Sequence, residues 1–239
     1  MSAPWVLAMD WRDALLLHWR ADAAALRRAI PADLELDLYA GEAWISIVAF
    51  RIIGARARLA PPFAALPSFA EINVRTYVRD ADKAGVWFFT LDAANKAAVW
   101  GGRTLNLNYL NASIACTPTA TSYGYDAVRT DRRAAAARFT ATARIDSPAR
   151  IAPPNSLEHW LVERYCFFTT RHGHTKRGDV IHDPWLLHDA TPTIAHNTLL
   201  STANLTPLDD APLTHASPGV STRAWPLRNA VTGVTSRAQ

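Results

Sequence analysis

Hydrophobic and polar residues alternate over much of this 239-residue chain, and the alternation predicts strands more often than helices. Between Phe69 and Val78 the pattern is informative. Ile72, Val74 and Val78 point one way, and Glu71, Asn73, Arg75 and Tyr77 the other, because successive strand side chains face opposite sides of a sheet. A polar, Gly-containing turn and a second apolar run, GVWFFTLDA, follow, so residues 67–103 predict a β-hairpin. A strand with Glu, Asn and Arg on one face lies at the surface or lines a polar cavity. The pattern alone leaves both readings open.

The same reading extends along the chain. LLLHWR, at the end of the aromatic stretch Trp5–Trp19, predicts a buried strand. Asp22 is placed to cap a short helix over AAALRRAI that Pro31 stops. Leu34–Tyr39 alternates with period two, Gly41 marks a turn, and AWISIVAFRII predicts a strand closed by Gly54. Pro61, Pro62 and Pro67 mark an irregular loop. After Gly101 and Gly102, RTLNLNYLNASIACT predicts a strand that sets Leu105, Leu107 and Tyr109 against Asn106, Asn108 and Leu110. SYGYDAVRT and ARFTATARI predict two more strands, with a turn near residues 129–133. SLEHWLVERY predicts a helix capped by Asn155 or Ser156, and CFFTTRHGHTKRGDVIHDPWLLHDA a hairpin turning over Gly173–Gly178. Many short strands, two helices and no regular βαβ alternation indicate a mainly β (α+β) protein built on an antiparallel sheet or barrel. One domain over residues 1–228 and a frayed tail over 229–239 are expected.

Composition narrows the function classes. Hydrophobic residues make up 49% of the chain and nine are Trp, enough for a sizeable core. The formal charge is only +4, and the densest basic cluster, Arg129, Arg132, Arg133 and Arg138, has no interleaved aromatics. It is expected to be solvated surface, and no nucleic-acid partner is expected. Cys116 and Cys166 match no metal or redox spacing. Asp10, Arg12 and Asp13 interrupt the apolar N-terminus, and the longest apolar run, Ala43–Phe50, is far short of the roughly 20 residues of a spanning helix. A soluble, cytoplasmic protein with no membrane partner is expected.

The familiar nucleophile-elbow, dinucleotide, phosphate-loop and HExxH zinc motifs are absent. His172, His174, His182 and His188 cluster late, and His-x-His can hold a transition metal. An exposed hairpin tip explains RHGH equally simply, so neither a metal nor a cofactor is expected. Glu71 is the stronger candidate. A carboxylate on a barrel strand beside Phe69 suits a partly desolvated acid or base. Arg75 lies on the same face, about 13 Å along the strand.

SFAEINVRTYV, GVWFFTLDA, GGR, SLEHWLVERY, IHDPWLLHDA and THASPGVSTRAWPL, in this order, resemble the DUF2071 or YqjF-like family of uncharacterised proteins. That family is similar to the acetoacetate decarboxylase-like superfamily. The resemblance implies a single domain, a cone-shaped and largely antiparallel β-barrel with a few peripheral helices around a small-molecule cavity. In the decarboxylases a lysine forms a Schiff base with a β-keto acid, assisted by a glutamate. The resemblance places Glu71 at that glutamate and Arg103 in the Gly-Arg before the reactive strand. Here that strand, TLNLNYLNASI, carries no lysine, and the nearest, Lys96, precedes the Gly-Arg.

Without the amine there is no electron sink, so decarboxylation of acetoacetate is not expected. The expectation is a barrel that binds a small polar or carboxylate ligand. Glu71 and Arg103 are its catalytic candidates, and Asn73, Arg75 and Tyr109 its ligand-binding candidates. Asn106 and Asn108 take the opposite face of the predicted strand. The alternative is a non-enzymatic module that binds a partner or a second copy through the Trp residues of AVWGG and HDPWLL.

Overall fold

The computed structural model describes residues 3–231. It opens with β1 (Leu7–Ala21), α1 (Ala23–Ala29), β2 (Glu35–Leu36) and β3 (Ala43–Ala57). Next come β4 (Phe69–Arg79), β5 (Ala84–Ala93), α2 (Lys96–Thr104) and β6 (Tyr109–Cys116). Then follow β7 (Ser122–Arg129), β8 (Arg138–Ile145), β9 (Arg150–Ile151), α3 (Leu157–Val162), β10 (Cys166–Arg171) and β11 (His174–His182). The chain ends in β12 (Leu186–Asn197), α4 (Leu199–Thr202), β13 (Leu213–Ala224) and β14 (Arg228–Asn229). The protein is mainly β, as the alternation predicts.

The strand pairings close on themselves twice. The path β13–β1–β3–β4–β5 is antiparallel throughout and is shared by two rings. One ring returns through β6, β7, β8 and β12, and the other through β10 and β11. The pairings of β5 with β6 and with β10 are parallel. Each shared strand therefore has two buried faces. On one, Leu15, Leu17, Ile45, Ile47, Ile72 and Val74 pack against Tyr125, Phe139 and Ala141 of β7 and β8. On the other, Leu16, Val48, Phe50 and Tyr77 pack against Val99 of α2, Leu161 of α3 and Trp185. Burial of each such aliphatic side chain contributes about 1.5–3 kcal/mol before conformational entropy is subtracted.

Several expectations need correction. The strand predicted after Gly102 forms only in its second half. Residues 96–104 form α2, whose first N–H groups are capped by the Asn95 side chain, and β6 starts only at Tyr109. Asn95 is a strong N-cap, and Asn106 takes a left-handed turn (φ 58°) that sends the chain back into the sheet. The strand over Leu34–Tyr39 shrinks to Glu35–Leu36. Gly54 does not close β3 but lies within it at φ +65°, a conformation glycine adopts without steric cost. The helix from Ser156 ends at Val162, and the later hairpin turns tightly at His172–Gly173. Arg129 is buried against Asp92 rather than solvated. Asn229 pairs with Lys176, and Ala81 and Asp80 hold Val231, so residues 229–231 are docked; the remainder of the expected tail, 232–239, lies outside the described residues.

Other expectations agree. Asp22 accepts from Ala25 N at 2.6 Å to cap α1, and Ser156 caps α3. Cys116 and Cys166 are free thiols. No helix among the described residues is long and apolar enough to cross a membrane.

Candidate functional site

The polar face of β4 turns inward. Glu71, Asn73 and Tyr77 are buried and Arg75 half-buried, all on the side of the sheet that α2 and α3 cover. Period-two alternation sets this, since Ala70, Ile72 and Val74 fill the opposite core. A register shift in the β4–β5 ladder lies between Val74 and Arg75, beside the row. Such an irregularity bends a strand and increases its local twist.

At one end of the row the Tyr109 hydroxyl donates to Glu71 Oε2 at 2.9 Å. Burial pushes the Glu71 carboxyl up to about 7; the Tyr109 hydrogen bond opposes this, and the nearby Asp92 charge adds to it. Burial also raises the Tyr109 phenol well above its ordinary range. The ring can reach Glu71 because it packs against Gly102 of α2, where an added Cβ would sit 2.1 Å from Tyr109 Cδ2. Arg103 holds the same strand from outside. Its Nε donates to the Tyr109 carbonyl at 3.0 Å and its guanidinium pairs with Asp131. Burial works against the Asp131 charge, yet N–H groups of Asn111 and Arg133 hold its carboxyl well below the usual range. No hydrogen bond or ion pair joins Arg103 to Glu71 among the described residues.

The other end of the row adds His18 and Ser46, which the sequence pattern does not single out, to Arg75, which it does. His18 on β1, Ser46 on β3 and Arg75 on β4 occupy one register row across three neighbouring strands. His18 Nδ1 lies 2.7 Å from Ser46 Oγ, which is 2.6 Å from the Tyr77 hydroxyl. His215 of β13 faces His18 with ring centroids 5.9 Å apart. Burial, then the His215 and Arg75 charges, lower the His18 pKa well below its ordinary value; burial also lowers that of His215. The available signal in sequence is a lone imidazole inside the apolar run LLLHW. The period-two face of β4 does predict Tyr77.

Arg75 has no carboxylate partner among the described residues. Its Nη2 makes a long 3.4 Å contact to the Leu161 carbonyl, and its Nε is buried without a partner. Asn73 Oδ1, His18 Nε2, His215 Nδ1 and Trp44 Nε1 are buried and likewise unpartnered among the described residues. Contrast Arg129, whose Nε and Nη2 meet both Asp92 oxygens at 2.7 and 2.8 Å. The buried Arg129 guanidinium is neutralised, whereas the half-buried Arg75 has no carboxylate counter-ion among the described residues.

α3 covers this end. The Trp160 ring packs at a tilt with its centroid 4.6 Å from that of Tyr77, and Arg164, paired with Asp37, lies 4.2 Å over Trp160. Trp160 and Arg164 also line a surface cleft of about 420 Å³ with Tyr39, His159 and Glu163. A second cleft of about 500 Å³, around Trp5, Asp10, His182 and Arg223, contains none of the row.

The late histidines separate. His172 and His174 sit at the exposed turn, His182 stacks on Tyr165, and His188 bonds the Ser147 carbonyl. No group of three or more potential metal ligands forms among the described residues. Trp100 is 72% exposed, but Trp185 is buried, which corrects its expected place on an exposed surface.

The fold is that of acetoacetate decarboxylase-like proteins. The chain superposes on the enduracididine biosynthesis enzyme MppR with a TM-score of 0.68, at 12% identity over 98% of this chain and 90% of that one. An acetoacetate decarboxylase-like enzyme from Sphingomonas wittichii RW1 gives 0.64 at 12% identity, covering 95% and 93%. The acetoacetate decarboxylase of Legionella pneumophila also gives 0.64 at 12%, covering 95% and 87%. Within that fold the chain belongs to the DUF2071 family of uncharacterized conserved proteins, whose model matches residues 8–221. It is 37% identical to the uncharacterized protein YqjF of Bacillus subtilis (strain 168) over 225 residues, 94% of this chain and 92% of that protein.

Proposed function

We propose that the inward row of β4 binds a small carboxylate, with Arg75 as the anion partner and Asn73 beside it. The observation that carries this is the Arg75 guanidinium, turned inward without a carboxylate partner among other unpartnered buried polar atoms. An unmatched buried polar group costs about 1–3 kcal/mol, and water or the oxygens of a polar ligand relieve that cost. Entry is placed at α3, where Trp160 and Arg164 line the surface cleft and both lie against the Tyr77 ring. One structural neighbour, MppR, has been solved in complex with pyruvate, which supports a small oxygenated acid as the probe.

Glu71 and Tyr109 are the proton-handling pair of this reading. A carboxyl titrating near 7 exchanges a proton readily at neutral pH. Arg103 is assigned a positioning role, because Asp131 and the Tyr109 carbonyl occupy its guanidinium. Schiff-base chemistry is not part of the proposal. Lys83 is paired with Asp179, Lys96 is exposed at the start of α2, and Lys176 bonds Asn229. Titration calorimetry with pyruvate should show binding that Arg75→Gln abolishes, and borohydride with acetoacetate should leave no adduct. Equal binding by native protein and Arg75→Gln, or a stable lysine adduct, would sink the proposal.

A second reading has one observation in its favour: Trp100, Leu59 and Phe63 are strongly exposed and suit a partner or a second copy. Native mass spectrometry of the chain and of Trp100→Ala separates it from ligand binding.

A further inference from the structure

The row across β1, β3 and β4 contains two hydroxyl protons and few acceptors. Tyr77 Oη lies 2.6 Å from Ser46 Oγ and 3.3 Å from His18 Nδ1, and Ser46 Oγ lies 2.7 Å from that nitrogen. Neither hydroxyl has another hydrogen-bond partner among the described residues. Each hydroxyl has one proton to donate. If His18 carried its proton on Nδ1 and gave it to Ser46, one of the two hydroxyl protons would be left without an acceptor in a buried site. With Tyr77 donating to Ser46 and Ser46 to Nδ1, both are satisfied. The imidazole is then neutral, in agreement with its burial, and its proton sits on Nε2. That Nε2 is buried and has no partner, although His215 and Arg75 both lie close enough to act on the ring.

We propose that His18 is a ligand-binding residue, held by Ser46 and Tyr77 as the Nε2–H tautomer, and that it selects a carboxylate bearing a second acceptor oxygen, an oxo or hydroxy acid. This rests on the carboxylate reading of Arg75. His18, Ser46 and Arg75 are register partners on successive strands, so the imidazole and the guanidinium serve one small molecule from two strands apart, roughly 10 Å between backbones. Arg75 holds the carboxylate and the His18 Nε2–H donates to the second oxygen. Ser46 and Tyr77 touch no ligand; they are positioning residues that set which nitrogen carries the proton.

The test uses the full chain, with pyruvate and propionate, which differ by the oxo group. Long-range ¹H–¹⁵N spectra of labelled protein should report His18 as the neutral Nε2–H tautomer. Ser46→Ala and Tyr77→Phe should each keep it, because the remaining hydroxyl still donates to Nδ1, while the double variant should lose it. By calorimetry, native protein should bind pyruvate about tenfold or more tighter than propionate, the size of one well-made hydrogen bond. His18→Gln, which keeps a donor near the Nε2 position, should retain most of that preference. His18→Leu should lose it and still bind propionate. Where His18→Leu does not fold, the Ser46→Ala/Tyr77→Phe double variant supplies the same arm, with its preference reduced. An Nδ1–H tautomer in the native protein overturns the assignment. Equal affinity for the two acids overturns the role of His18 and leaves the Arg75 site standing. Binding of neither acid overturns both.

Discussion

The Tyr109 hydroxyl reaches Glu71 Oε2 at 2.9 Å from a strand that pairs with β5, not with the Glu71 strand itself. Burial raises the Glu71 carboxyl from an ordinary value of 4.5 to about 7, so the folded state holds that proton more tightly than the unfolded chain. The stabilisation linked to it is complete below pH 4.5 and disappears as pH rises to 7. The difference amounts to about 3 kcal/mol. Urea denaturation at pH 4.5 and pH 7.5 should show the native protein losing about that much relative to Glu71→Gln, whose neutral amide does not titrate. Parallel profiles would remove Glu71 from the buried site.

In the proposed carboxylate site the same carboxyl should also affect anion binding. Above pH 7 Glu71 ionises on the face that carries Arg75, and pyruvate affinity should fall. Glu71→Gln should flatten that decline, and calorimetry at pH 6 and pH 8 measures it. An undiminished decline in Glu71→Gln assigns the pH dependence to another group.

Gly102→Ala should destabilise although alanine is the better helix former. In an unobstructed helix the change gains about 1 kcal/mol. Here the new Cβ meets the Tyr109 ring at 2.1 Å, so ring or helix must move, at about 1–3 kcal/mol. A displaced ring also releases the hydrogen bond that restrains Glu71, and the Glu71 titration should move further upward. Thermal melts and carboxyl NMR report the two effects separately.

The buried Arg129 and the half-buried Arg75 should respond in opposite ways to the same substitution. Arg129→Met leaves the Asp92 charge unpaired and should cost about 3–5 kcal/mol, most of it recovered in Asp92→Leu/Arg129→Met. Arg75→Met removes a charge with no carboxylate partner, and stability should change by less than about 1 kcal/mol or rise, while pyruvate binding is lost. Denaturation of both variants makes the comparison. A large loss in Arg75→Met would mean that Arg75 is structural.

The period of side-chain alternation, local along the chain, determined the mainly β class, the β4–β5 hairpin and the shared face of Glu71, Asn73, Arg75 and Tyr77. It could not say whether that face met solvent or an interior, because both environments accept the same residues. Ring closure decided it: β10 pairs with β5 and β11 with β13, and α2 and α3 cover the polar side. Tertiary structure also decided which groups Arg103 meets. Asn95 starts a helix that runs to Thr104, so the alternating Leu and Asn residues 105–108 form a turn rather than a strand, and the helix turns Arg103 toward Asp131 while Gly102 seats Tyr109 against Glu71. His18, Ser46 and Arg75 are 28 and 29 residues apart along the chain and adjacent only through strand register. Hydrogen bonding between distant strands, which no local pattern encodes, places them in one row.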